Sequence, residues 1–293
     1  LGRKISMTDP DMSYWQYFYD AVGNLTKQID NKNQTIQFQY DALNRLKVKS
    51  YPGTTNRSVN YTYDDVAVSN SKGRLTKSVY KSNGNTSFTY DALGRETQSI
   101  KKIDNVNYKV TRAYDAANRI TILTYPDNAQ IIYTYNTAGQ LEKIVSGSNT
   151  YISSVDYSAS GQIAKIVYGN GVTTTYAYDP NTLRLTHLVT RDKNNITLQD
   201  LSYQFDEVGN VISITDNRNS ASQNFSYDAL NRLINASGTY YGNKSYAYDK
   251  IGNMIAKDGV NYVYGAGAAG PHALTSGSNG STFTYDKNGN LTK

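Results

Sequence analysis

The sequence has no cysteine, so it forms no disulfide, offers no thiolate nucleophile and builds no cysteine-based zinc site. Glutamate is nearly missing as well: Glu96, Glu142 and Glu207 are the only three among 24 acidic residues. Glutamate is a good helix former, and its scarcity argues against a helical chain. No apolar run approaches the roughly 20 residues of a bilayer-spanning helix, so no membrane span is expected. The only two histidines, His187 and His272, are far apart and lack metal-ligand spacing. No Gly-x-Ser-x-Gly elbow presents a nucleophilic serine.

What is abundant points one way. There are 28 tyrosines against 6 phenylalanines and 1 tryptophan. Tyrosine and threonine favour strands, while aspartate, asparagine and glycine favour turns. The composition is that of an all-β chain with many turns. The net charge of +6 is spread along the sequence and reads as a solvated surface of mixed charge, with no nucleic-acid partner expected.

One motif returns thirteen times in phase. Its anchors are Tyr19, Tyr40, Tyr63, Tyr90, Tyr114, Tyr135, Tyr157, Tyr178, Phe205, Tyr227, Tyr248, Tyr264 and Tyr285, mostly 21 to 24 residues apart. A second aromatic often sits two residues earlier, as in Phe38/Tyr40 and Phe88/Tyr90, which puts both rings on one face of a strand. Aspartate follows the anchor at Asp20, Asp41, Asp64, Asp91, Asp115, Asp179, Asp206, Asp228, Asp249 and Asp286. Its side chain accepts from the backbone two residues on and opens a turn. Three residues later stand Gly23, Asn44, Gly94, Asn118, Gly209, Asn231, Gly252 and Gly289, the residue types that tolerate positive φ. The unit therefore predicts a type I turn closed by a left-handed residue. If so, Gly94→Val damages folding more than Arg95→Ala, because only the first demands a forbidden backbone state. Arg45, Arg95, Arg119 and Arg232 recur at a turn position and are expected to face solvent.

A second turn lies about midway between copies, in the stretches starting at Tyr51 (YPGT), Tyr125 (YPDN) and Tyr168 (YGNG). Each unit is then two antiparallel strands and two turns. The strand returning from the turn is less regular: Ile163, Ile166 and Tyr168 break alternation, which predicts a β-bulge. Thirteen units give roughly 25 strands, on the order of 120 Å of sheet. Open sheets rarely exceed about ten strands without curling. The expected fold is a long curved antiparallel sheet of tandem hairpins that spirals into a hollow shell. The whole of residues 1–293 is read as one array. It opens on Leu1-Gly2-Arg3, which matches Leu93-Gly94-Arg95, and stops just after another copy. The reading is a piece of a longer array.

This pattern resembles the YD repeats of the Rhs family, which includes bacterial polymorphic toxins, the B and C components of Tc insecticidal toxin complexes, and teneurins. The stretches YGNGVTTTYAYDPNTLRL (from Tyr168), LQDLSYQFDEVGNV (from Leu198) and GPHALTS (from Gly270) are more similar to the bacterial toxin branch. The resemblance implies a hollow β-shell around a C-terminal toxic polypeptide, a secreted or cell-surface bacterial setting, and the remaining repeats and toxin of the same polypeptide as partners. Family members often carry an Asp-Pro self-cleavage motif downstream of the repeats. Asp9-Pro10 and Asp179-Pro180 lack that context, so no protease role is carried over.

Other chemistry is weaker. GAGAAG, from Gly265 to Gly270, matches a dinucleotide fingerprint, but Pro271 follows where a helix is needed, so a loop is expected. The stretches from Asp30 to Gln34 and from Asp216 to Ser220 lack the glutamate and glycine of a calcium loop and read as hairpin turns. No catalytic residue, cofactor or metal is expected. The alternative to a toxin shell is an extracellular surface that binds glycans through exposed tyrosines.

Overall fold

The structure is a computed structural model that describes residues 2–53, 57–80 and 84–293. Leu1, and Thr54 of the predicted turn at Tyr51, lie outside the described residues. The described residues form 25 strands and no helix, and every strand pairing is antiparallel. The fold class is the all-β one that the composition predicts. The chain divides into two compact units.

Unit 1 comprises Leu1–Gln130, Tyr264–Ser276 and Thr282–Lys293. From Ser6–Asp9 to Ile120–Thr124, each strand pairs with the next in sequence. The C-terminal segments return to the first two hairpins. Lys32 Nζ lies 2.8 Å from Asp286 Oδ2. Asn288 Nδ2 donates to Asp30 Oδ2 at 2.7 Å, and Asn31 Nδ2 donates to the Lys287 carbonyl at 3.0 Å. One hairpin along, His272 N donates to Asp11 Oδ1 at 3.0 Å, and His272 Nδ1 lies 2.7 Å from Asp11 Oδ2.

Unit 2 comprises Ile131–Val263 and Gly277–Ser281. Its strands from Leu141–Ser146 to Met254–Lys257 likewise pair in succession. In the strand Asn149–Tyr157, positions 149–154 alternate exposed and half-buried, so one face there is covered and the other is wet, before the buried Val155 breaks the pattern.

The hairpins follow from the motif. Asp41 N donates to the Arg45 carbonyl and Asn44 N to the Asp41 carbonyl, both at 3.0 Å, with Asn44 at φ +60°. Gly94 does the same in its turn at φ +81°. A turn of this kind leaves one extra residue in the returning strand. Tyr40 pairs with Leu46 but Gln39 pairs with Val48, which leaves Lys47 over. The predicted irregularity after Gly161 has the same origin: Tyr157 pairs with Ile163 and Asp156 with Lys165, so Ala164 is the bulge. The turns at Tyr125 and Tyr168, at the far end of the hairpins, use the same backbone bonds.

Burial is shallow. Among the described residues the buried hydrophobic ones are Val155, Ala221 and Ala236, all small and all in unit 2. Unit 1 buries polar groups instead, led by Thr76 at 2% exposure, whose hydroxyl donates to the Thr62 carbonyl at 3.0 Å. Three small side chains do not make a dry core, so the chain needs another source of cohesion.

Candidate functional site

That source is a set of contacts repeated along the array. The anchor tyrosines reach back one repeat. Tyr19 donates its hydroxyl to the Lys4 carbonyl at 3.0 Å, Tyr40 to Leu25 at 2.9 Å, and Tyr90 to Leu75 at 2.6 Å. Tyr114 donates to Glu96 at 2.8 Å, Tyr227 to Val211 at 2.7 Å, Tyr248 to Leu233 at 3.0 Å and Tyr285 to Leu274 at 2.8 Å. Tyr157 and Tyr178 do the same. Each such bond contributes about 1 kcal/mol net. Burial pushes the hydroxyls of Tyr40, Tyr90, Tyr114 and Tyr227 above their ordinary pKa, which keeps them protonated donors. Phe205 lacks the hydroxyl and offers only its ring, over which Arg184 lies 5.7 Å from the centroid.

The aspartates close their own turns. Asp41 Oδ1 accepts from Leu43 N and Arg45 N, and Asp91 Oδ1 accepts from Leu93 N and Arg95 N, all at 2.9–3.0 Å. Asp115, Asp228 and Asp249 repeat this pattern, whereas Asp20 and Asp206 accept from the third and fourth residues on. Asp286 accepts from Asn288 N and Asn290 N. The closing residues Gly23, Asn118, Gly209, Asn231, Gly252 and Gly289 all have positive φ and donate N–H to the motif aspartate's carbonyl.

The arginines correct the sequence reading. They were expected to face solvent, yet Arg45, Arg95, Arg119 and Arg232 have side chains only 22–32% exposed. The second Asp oxygen turns them inward. Arg45 Nε donates to Asp41 Oδ2 at 2.7 Å, and its Nη2 reaches Asp64 Oδ2 in the next turn at 2.6 Å. Its guanidinium lies 4.5 Å from the centroid of the Tyr63 ring. Arg95 lies over Tyr114 and donates to the Asp115 carbonyl at 2.8 Å; Arg232 lies over Tyr248 and donates to the Asp249 carbonyl at 3.1 Å. Where asparagine replaces arginine, it still reaches on: Asn24 to Asn44 at 2.8 Å and Asn210 to Asn231 at 3.0 Å. Tyrosine therefore ties most hairpins backwards, and at several of them arginine or asparagine ties forwards. Sequence reasoning missed both ties. The excess of tyrosine over phenylalanine was the available signal, because rings that only pack gain nothing from a hydroxyl.

The two histidines each meet one aspartate. His187 Nε2 lies 2.7 Å from Asp200 Oδ1, which also accepts from Asn217 Nδ2. The nearby Ser202 hydroxyl accepts from Asn217 at 2.9 Å. Among the described residues no group of three or more His, Asp or Glu is placed to hold a metal. Among the described residues no helix is long and apolar enough to cross a membrane. The Gly265–Gly270 stretch is a loop that closes through Gly265 N on the Ala273 carbonyl at 3.0 Å, followed by the strand Leu274–Gly277.

The turn carboxylates make stability depend on acid. Hydrogen bonds from Arg45 N hold Asp41 below the usual carboxylate range, and those from Arg119 N do so for Asp115; at Asp228 the Arg232 side chain leads. At Asp91 burial pushes upward but is outweighed by the bonds from Arg95. A lowered folded pKa gives stability that is complete above the unfolded value and lost as pH falls through the folded one. The melting temperature is expected to hold from about pH 7 to about pH 5 and to drop below about pH 4. A calorimetric series that shows melting rise on acidification contradicts this.

Comparison with known proteins fits this geometry. The sequence signature described as the teneurin YD-shell matches residues 66–202, and that of the RHS repeat matches residues 19–55. Toxin subunit YenC2 of Yersinia entomophaga is 36% identical over 149 residues, covering 44% of this chain and 15% of that protein. The tRNA3(Ser)-specific nuclease WapA of Bacillus spizizenii is 30% identical over 301 residues, covering 100% of this chain and 12% of that protein. Among solved structures, TcdB2-TccC3 without its hypervariable C-terminal region superposes with a TM-score of 0.81 at 20% identity, over 98% of this chain and 18% of that one. This chain thus spans less than a fifth of each. Signatures, relatives and fold agree on one assignment: the chain belongs to the YD/Rhs-repeat family.

Proposed function

We propose that this array is a length of non-catalytic wall in a bacterial toxin shell, secreted or at the cell surface, that encloses a C-terminal toxin polypeptide of the same protein. The observation that carries the reading is the set of backward and forward ties repeated between neighbouring hairpins. It gives cohesion to a sheet without a dry core, which is what a wall around a space requires. In this reading the motif Tyr, Asp and Gly or Asn residues are structural, with no part in catalysis. Their polar atoms are engaged in turns and ties, which supports that role. The partners are the remaining repeats and the toxin. The nuclease among the relatives matches over only 12% of its own length, so the reading assigns no nuclease chemistry to this array.

Enclosure is tested by activity. In the native longer polypeptide, the toxic activity of the C-terminal region is expected to be silent, and to appear once the shell is unfolded or deleted. Full activity in the native protein rules out enclosure. Exposed rings at the far ends of the hairpins, such as Tyr151 at 53% and Tyr240 at 75%, support glycan stacking as a second reading. A glycan array that returns specific binding, lost in Tyr240→Ala, would move that reading ahead.

A further inference from the structure

Unit 1 is closed by a seam. Its C-terminal segments meet the turns at Asp11 and Asp30, and the five bonds given above each use at least one side chain. Along the hairpin row the cohesion is of another kind. Gly84–Tyr90 and Glu96–Ile103, for example, share a backbone ladder that runs from Asn85 and Lys102 to Tyr90 and Glu96. Backbone bonds join neutral groups and are little affected by salt, whereas half-exposed ion pairs are screened.

The seam rests on such pairs. Lys32 and Asp286 have side chains 36% and 17% exposed, and His272 and Asp11 have side chains 50% and 34% exposed. The hydrogen bond from Lys32 holds the Asp286 carboxyl far below the usual carboxylate range, so this pair is charged at neutral pH. Packing adds little between the pairs. A cavity of about 590 Å³ lies there, lined by Pro10, Asp11 and Asn31 from one side and by Ala266, Phe283 and Tyr285 from the other. Asn288 Oδ1 is buried without a hydrogen-bond partner, a cost that ends when the seam parts. The close fit is at Asp11. Gly270 and Gly289 come so near that a Cβ on either would clash with the Asp11 backbone.

We propose that this seam is a salt-labile latch: the C-terminal segments let go of the Asp11 and Asp30 turns while the hairpins of unit 1 stay folded. Such opening is a local event that lies below global unfolding. The latch follows from unit 1 alone. Under the wall reading it marks where the enclosure parts first, and only that consequence rests on the reading.

A distance across the seam tests this. The chain has no cysteine, so spin labels on Gln34→Cys and Ala268→Cys, both exposed and one on each side, report only this separation. A single short distance is expected at about 0.01 M sodium chloride. At about 1 M the screening length falls from about 30 Å to about 3 Å, and a longer, broader distance is expected to gain at least about tenfold in population, with the β-sheet circular dichroism unchanged. Lys32→Gln combined with Asp11→Asn is expected to open the seam at low salt and to abolish the salt response. Gly270→Ala is expected to open it at any salt, by contact and not by charge. A distance that stays short in high salt and in both variants overturns the proposal. So does a long distance at low salt in the unaltered seam. Lengthening that comes only with loss of the β signal also overturns it, because unit 1 then opens as a whole. None of these results bears on enclosure, which the toxic activity tests separately.

Discussion

Replacing Tyr90 by alanine is expected to destabilise the array by about 3 kcal/mol, whereas phenylalanine at the same place costs only about 1 kcal/mol. The difference separates two roles of one side chain. The ring packs between hairpins and lies under the Arg74 guanidinium, 5.7 Å from its centroid. The hydroxyl supplies a single 2.6 Å bond to the Leu75 carbonyl. Phenylalanine keeps the first and gives up the second, as Phe205 does naturally. Chemical denaturation of the two variants measures both terms. Equal losses for Phe and Ala would mean that the hydroxyl tie carries everything; no loss for Phe would mean that the tie carries nothing.

Gly94→Val is expected to be as damaging as any single turn change, by about 2–3 kcal/mol. Gly94 sits at φ +81°, where a β-branched residue is strained, and a Cβ there also meets the Arg74 guanidinium, which must swing away. Gly94→Asn is expected to be far milder, because Asn44, Asn118 and Asn231 hold the same turn position at φ of 58–64°. The milder variant isolates the backbone requirement: equal melting temperatures for Val and Asn contradict the turn assignment. Arg95→Ala lies between them. Sequence reasoning places its side chain in solvent, but Arg95 bonds its own Asp91 at 2.6 Å and the next turn at Asp115 and Asn118. Its loss is expected to be measurable and to spread to the neighbouring repeat.

The contrast between Gly94 and Arg95 shows where the sequence was legible. A turn is local. Asp91 and Gly94 declare it within four residues, and the bulge at Ala164 follows from the same local rule. Hence strands, turns and repeat phase could be read directly. The ties are not local. Arg95 meets Asp115 some 20 residues on, and Tyr114 meets Glu96 18 residues back, so nothing in one repeat names its partner. The arginine looked solvent-facing because its turn position is exposed in an isolated hairpin. Its own Asp91 and the next hairpin, which carries an aromatic ring and an aspartate, together draw it in. The return of Asp286 to Lys32 spans 254 residues and depends on the path of the whole of unit 1, which no motif encodes.

Trypsin digestion of the native longer polypeptide tests enclosure most directly. The account predicts that a C-terminal polypeptide beyond the array survives, stays associated with it, and becomes sensitive once the repeats are unfolded. Immediate degradation of everything that follows Lys293, while the repeats remain intact, would contradict it and leave the array a surface with nothing inside.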